Sequence, residues 1–129
     1  MATLDDVRRL ALALPEAQER PSHDGAPAWH VRGKGFAWER PLGRQDRESL
    51  GAAAPAVGVI GVRVADLEAK ESLLAARSDA VFTTPHFDGH PVVLVRVDLV
   101  EVDELRELVT DAWLDRAPKR LARAYLADR

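Results

Sequence analysis

The sequence predicts a two-layer α+β domain: an antiparallel five-stranded sheet with helices on one face, in the order α-βββ-α-ββ-αα. Three observations carry this prediction. Apolar residues recur at alternate positions in Trp29–Trp38, Ile60–Val64 and Val93–Val97, and at helical spacing in Leu4–Leu14 and Leu105–Trp113. The links at Gly33-Lys34-Gly35 and at Asp88-Gly89 are too short for a parallel crossover, which needs a dozen residues or more, and make the strands they join antiparallel. The chain has 129 residues, 47% of them apolar and 30% charged, enough for one core and one domain spanning 1–129.

The first helix opens at Thr3, an N-cap that pairs with Asp6 in a capping-box pattern, with Asp5 in the positive first turn. Leu4, Val7, Leu10, Ala11 and Leu14 form its apolar stripe, and Pro15 ends it. Residues 16–27, rich in Pro and Gly, read as a connecting loop. A hairpin follows, with Trp29 and Val31 alternating with His30 and Arg32, a turn at Gly33-Lys34-Gly35, and Phe36 and Trp38 on the return strand. Pro41–Pro55 is a long polar connection, and Val57–Val64 the third strand.

Asp66 caps a second helix whose buried stripe is Leu67, Leu73, Leu74 and Ala76. Val81–Pro85 is a short fourth strand, and Asp88-Gly89 signals a two-residue hairpin into Val92–Val100, the fifth. Asp103 caps a third helix with Leu105, Leu108, Val109, Ala112 and Trp113 on one face. Pro118 starts a fourth.

Composition removes several classes of chemistry. Without cysteine there are no disulfides, thiolate nucleophiles or Cys-ligated metals. The N-terminus has no basic and apolar leader, and no apolar run reaches the ~20 residues of a membrane helix, so a cytoplasmic location away from the membrane is expected. His86 and His90 flank the Asp88-Gly89 turn instead of sharing a helical face, and no third ligand stands at metal spacing, so no metal is expected. Ser22-His23-Asp24 has the letters of a triad, but adjacent loop residues do not stack nucleophile, base and carboxylate in line. No phosphate loop, dinucleotide fingerprint or nucleophile elbow occurs. The expectation is a non-enzymatic chain with no cofactor.

Two surfaces remain. If Trp29, Val31, Phe36, Trp38, Ile60, Val62, Val64, Val93, Val95 and Val97 face the helices, alternation sends His30, Arg32, Glu39, Val59, Gly61, Arg63, Leu94 and Arg96 to the open face. There His30, Arg32, Arg63 and Arg96 suit an anionic or planar small molecule; the plain alternative pairs the arginines with Glu39 and Asp98 for solubility. The second surface is the last helix, where Lys119, Arg120 and Arg123 share an arc opposite Leu121, Ala122 and Tyr125. Such an arc contacts phosphates or is simply solvated. Arg44 and Arg47 alternate with Asp46 and Glu48, leaving no net basic character in that loop.

The segments Trp29-His-Val-Arg-Gly-Lys-Gly-Phe-Ala-Trp, Thr83-Thr-Pro-His-Phe-Asp-Gly and Ala112-Trp-Leu-Asp-Arg-Ala-Pro-Lys-Arg-Leu together resemble the MmcQ/YjbR family over nearly the whole chain. The resemblance implies an antiparallel sheet with helices on one side, similar to CyaY-like or secretion-chaperone-like folds. It also implies a DNA-binding role; the hairpins would then serve as wings, and the basic residues of this sequence available for phosphates are Arg32, Lys34, Lys119, Arg120 and Arg123. The net charge of −3 requires such binding to be weak and salt-dependent. A small-molecule site on the arginine-lined face, or a chaperone-like protein-interaction surface, is the alternative.

Overall fold

In the computed structural model, which describes residues 1–22, 24–53 and 58–128, Thr3 and Asp6 close the capping box. The Thr3 amide donates to Asp6 at 2.9 Å and the Asp6 amide to Thr3 Oγ1 at 3.2 Å. Helix α1 (Leu4–Leu12) then buries Val7, Leu10 and Ala11. The segment read as a loop contains a strand, β1 (Ala17–Pro21), antiparallel to β2 (Pro27–Val31). Its sequence, AQERP, lacks alternating apolar residues because it is an exposed edge strand, a position where a sheet tolerates proline. One carboxylate oxygen of Glu19 accepts from Trp29 Nε1 at 3.0 Å and from Arg8 Nε at 2.7 Å, tying β1 to both core and helix.

Strand β2 returns as β3 (Lys34–Glu39) through Arg32 and Gly33, not through Gly33-Lys34-Gly35. Both turn residues have positive φ, 51° and 81°, the combination a type I′ turn requires. A bulge lies just beyond. Trp29 pairs with Ala37 while His30 pairs with Gly35, leaving Phe36 as the extra residue. Phe36 and Ala37 therefore both enter the core, and the alternation restarts one step out of phase. Trp38, expected inside, is sent to the opposite face.

The connection after β3 holds a short helix, α2 (Arg44–Leu50), absent from the sequence-based expectation; Ala54–Val57, including the expected start of the third strand, lie outside the described residues. The chain continues through β4 (Val59–Arg63), α3 (Leu67–Ala76), β5 (Val81–Phe82), β6 (Val92–Arg96), α4 (Val102–Arg116) and α5 (Lys119–Ala127). The described strands form one antiparallel sheet in the order β1-β2-β3-β4-β6-β5. The class is as predicted, with six strands in place of five.

Several boundaries move. Asp66 caps α3 through the Ala69 amide at 2.8 Å, but Leu67 and Ala76 of the expected stripe are exposed. Asp88-Gly89 is not a two-residue hairpin. It is the centre of a type II turn: Asp88 has φ −59° and ψ 131°, Gly89 has φ 79°, and the His90 amide donates to the Phe87 carbonyl at 3.0 Å. This turn sits inside the longer link between β5 and β6, where Pro85 opens a 3₁₀ turn (Pro85–Phe87) instead of closing a strand. Strand β6 likewise ends at Arg96 in a 3₁₀ turn over Val97–Leu99. Glu101, not Asp103, occupies the N-cap of α4, and Pro118 is the N-cap of α5, not its first helical residue.

The core lies between one sheet face and the helices. Trp29, Val31, Phe36, Ile60, Val62, Val93, Val95, Leu105, Val109 and Trp113 meet there. The indole N–H of fully buried Trp113 donates to the Pro15 carbonyl at 3.0 Å, so the polar atom an indole brings inside is satisfied.

Candidate functional site

The second sheet face is not open. Trp38 lies against Gly61 so closely that a Cβ there would stand 2.4 Å from its ring. Leu94, cross-strand from Gly61, is fully buried, and Val59 and Val92 nearly so. Phe87 meets the Trp38 ring at 6.4 Å and carries the Arg40 guanidinium 5.3 Å from its own centroid. Arg40 is in turn paired with buried Asp46 of α2 at 3.1 Å. From the α3 side, Lys70 is buried and donates to the carbonyls of Phe87 and His90, at 2.7 and 3.0 Å, holding the Asp88–Gly89 turn against the fold. Burial pushes its ammonium below the usual lysine pKa, and the charge of Asp88 partly restores it.

This apolar centre separates the groups expected to share a ligand. Arg63 and Arg96 lie at opposite ends of the face, since Arg96 pairs with Val59, four residues from Arg63 and about 13 Å away along β4. Arg96 sits 3.7 Å from Asp98. Arg32 is held in the β2–β3 turn by Glu16, whose carboxyl that bond holds below the usual carboxylate range. His30 is half-buried opposite Gly35, with Nδ1 enclosed and unbonded. The set His30, Arg32, Arg63 and Arg96 does not form one site.

His86 packs edge-on against Phe87, with ring centroids 4.7 Å apart, and no metal-binding group of three His, Asp or Glu residues occurs among the described residues. Of the Ser22-His23-Asp24 run, His23 is outside the described residues. Ser22 donates to the Ala26 carbonyl at 2.9 Å and Asp24 accepts from the Ala26 amide at 3.1 Å, so both brace the β1–β2 turn.

The cations divide into two populations. Arg8, Arg9, Arg32, Arg40, Arg44, Arg77, Arg96 and Arg106 each lie within ion-pair distance of a carboxylate. Arg20, Lys34, Arg116, Lys119, Arg120 and Arg123 have no such partner among the described residues, and all but Arg116 are exposed. All of these except Arg20, which stands on the edge strand β1, lie toward one end of the domain. The register Glu39↔Ile60, Ala37↔Val62 carries the start of β3, with Lys34, to the Arg63 end of β4. Arg116 closes α4 near enough to Arg63 to act on its charge, and α5 begins three residues later. Helix α5 docks through Leu121, Ala122 and Tyr125, the last 5.1 Å from the Trp113 ring, leaving Lys119, Arg120 and Arg123 outward. The first turn of α5 has no acidic residue, so its basic residues face the positive end of the helix dipole, an arrangement that costs stability.

At the same end, Arg63 leaves the sheet face and lines a cleft of about 640 Å³ between α3 and α4. Ala69 and Leu73 of α3 form one wall, Leu108 and Leu114 of α4 the other, with Val64 below. Glu104, Glu107, Asp111 and Asp115 stand along the α4 side. Glu104 is bonded to Arg77. Arg63 has its Nε buried without a hydrogen-bond partner; desolvation, then Arg116, lower its pKa, while Asp115 acts in the opposite sense. Sequence patterning does not reveal this cleft. The spacing Glu107, Asp111, Asp115 is visible there as one helical stripe, but the turning of Arg63 toward α4 is not.

A two-layer α+β domain with an unpaired basic end and an adjoining helix–helix cleft is thus the class of protein defined by the coordinates. The chain belongs to the YjbR family, whose model matches residues 12–114. It is 49% identical over 131 aligned positions to uncharacterised proteins of Mycobacterium bovis and Mycobacterium tuberculosis, covering 99% of this chain and 98% of each relative. The crystal structure of a Deinococcus radiodurans protein with a DUF419 domain superposes with a TM-score of 0.64 at 21% identity, over 88% of this chain and 78% of that one, and shares the fold. No helix among the described residues is long and apolar enough to cross a membrane.

Proposed function

We propose that this chain is a non-catalytic binding domain that engages the phosphate backbone of DNA through the cations at its α4–α5 end. The observation that carries this reading is the concentration there of exposed cations without carboxylate partners, while most others in the chain are paired. Lys34 extends the surface from the β2–β3 hairpin. Arg32 contributes less, because engaging a phosphate requires it to leave Glu16. Phosphate contacts of this kind position a duplex without reading its sequence. Helix α5 lies beyond the segment, residues 12–114, that the family model matches.

The net charge of −3 limits long-range attraction. Binding is therefore expected no tighter than about 10⁻⁵ M at physiological salt, with log affinity falling linearly against log salt. Replacing Lys119, Arg120 and Arg123 by Ala removes three phosphate contacts and should flatten that slope by roughly 2.7. Anisotropy titrations against a random-sequence duplex at low ionic strength, with the triple variant alongside, test this. Absence of binding, or an unchanged slope in the variant, removes the proposal.

A further inference from the structure

The cleft between α3 and α4 carries an inference independent of the DNA reading. Its volume, about 640 Å³, lies within the range of small-molecule sites, and its walls are mainly apolar with a few charged groups. The charges are not arranged for solubility alone. Arg63 is half-buried, its Nε is enclosed without a partner, and Arg116 adds positive charge beside it. Arg63 makes no ion pair among the described residues, and an anionic group entering the cleft would give its half-exposed guanidinium the partner it lacks. Glu107, further along α4, has no cationic partner among the described residues. Its Cα is eight residues from that of Asp115, about 12 Å along the helix.

We infer that the α3–α4 cleft binds a linear zwitterion with an apolar middle, such as a short apolar peptide, its carboxylate on Arg63, its body against Leu73, Leu108 and Leu114, and its ammonium at Glu107. Each part of the ligand answers a feature of the cleft. A simple anion satisfies Arg63 but meets the carboxylates of α4. A simple cation satisfies those carboxylates but meets Arg63 and Arg116. A molecule charged at both ends avoids both conflicts. Three extended residues span about 10 Å, matching the distance from the Arg63 end to Glu107. The apolar middle displaces water from the leucine walls.

Trileucine is the probe, titrated into the full-length protein by calorimetry and by amide-resolved NMR. Saturable binding is expected, with shifts confined to residues 63–73 and 104–115. Amidating its C-terminus should weaken binding at least tenfold, and acetylating its N-terminus should weaken it several-fold. Arg63→Met should bind trileucine and its amide equally, and Glu107→Gln should bind trileucine and its acetyl form equally. Thermal melts of both variants establish that they are folded. Absence of saturable binding at millimolar probe, equal affinity of acid and amide for the unaltered protein, or tighter binding of spermidine than of trileucine each overturns the assignment.

Discussion

Replacing Arg63 by Met should make the unliganded protein more stable, a result opposite to that of most substitutions at partly buried sites. The guanidinium sits between α3 and α4 with its Nε enclosed and unbonded, and the charges acting on it are those of Arg116 and Asp115. An unsatisfied buried polar group costs about 1–3 kcal/mol. Against this stands the attraction of Asp115, which is exposed, so the loss is of the order of 0.2–1 kcal/mol. Removing the repulsion from Arg116 offsets part of that loss. Methionine retains most of the unbranched stem and packs its thioether against Leu73 and Leu108 without a polar atom to satisfy. The net expectation is a gain of about 1 kcal/mol, seen as a rise of about 4 °C in Tm for a domain of this size. Urea unfolding should show a raised midpoint with an unchanged m-value, as a change confined to the native state requires. A fall in the midpoint of similar size would show that Arg63 is stabilised in the cleft by interactions that outweigh its desolvation, and would refute the reasoning.

Gly61→Ala places a methyl carbon 2.4–2.7 Å from three atoms of the Trp38 ring, where ordinary contact is about 3.5–4 Å, so the indole must move. Destabilisation of about 1–3 kcal/mol is expected. Adding Trp38→Leu should recover part of it, and additive effects in that double-mutant cycle would show that the two residues are not in contact. The Arg8 bond first, with help from Trp29, holds the Glu19 carboxyl below the usual carboxylate range. Because its folded pKa is the lower one, its contribution is present above the unfolded value and lost as pH falls through the folded value. Glu19→Gln keeps an acceptor for Trp29 but removes the charge facing Arg8. Denaturation curves recorded from neutral pH down through the carboxylate range should therefore lose stability less steeply in the variant, and parallel curves would count against the network.

Most of the helices and the identity of the core faces were legible in the sequence because they rest on local, repeated signals. Thr3 with Asp6, Asp66, and the stripe Leu105–Trp113 act through period and capping, and each forms in the structure. What escaped was set by contacts remote in sequence. The edge strand β1 carries no apolar alternation; what orders it is its ladder to β2 and the Glu19 link to Trp29 and Arg8, none of which a periodicity shows. Helix α2 is largely polar and is anchored at Asp46 by Arg40, a pairing that only the folded loop creates.

The bulge at Phe36 has the widest consequence. One unpaired residue sends Trp38 across the sheet, where it takes the space above Gly61 that an arginine-lined ligand face would have needed. With Trp38, Leu94 and Phe87 in the middle, the β4 and β6 arginines remain only at the ends: Arg96 beside Asp98, and Arg63, the last residue of β4, in the lining of the α3–α4 cleft. The bulge thus closes the sheet face, and the candidate small-molecule chemistry lies instead in the cleft that Arg63 lines. The basic surface of α5 is untouched by the bulge, because its orientation depends only on Leu121, Ala122 and Tyr125 facing the core. The two surfaces are accordingly separable by mutation: Arg63→Met should leave the DNA salt slope intact, and the α5 triple variant should leave trileucine binding intact.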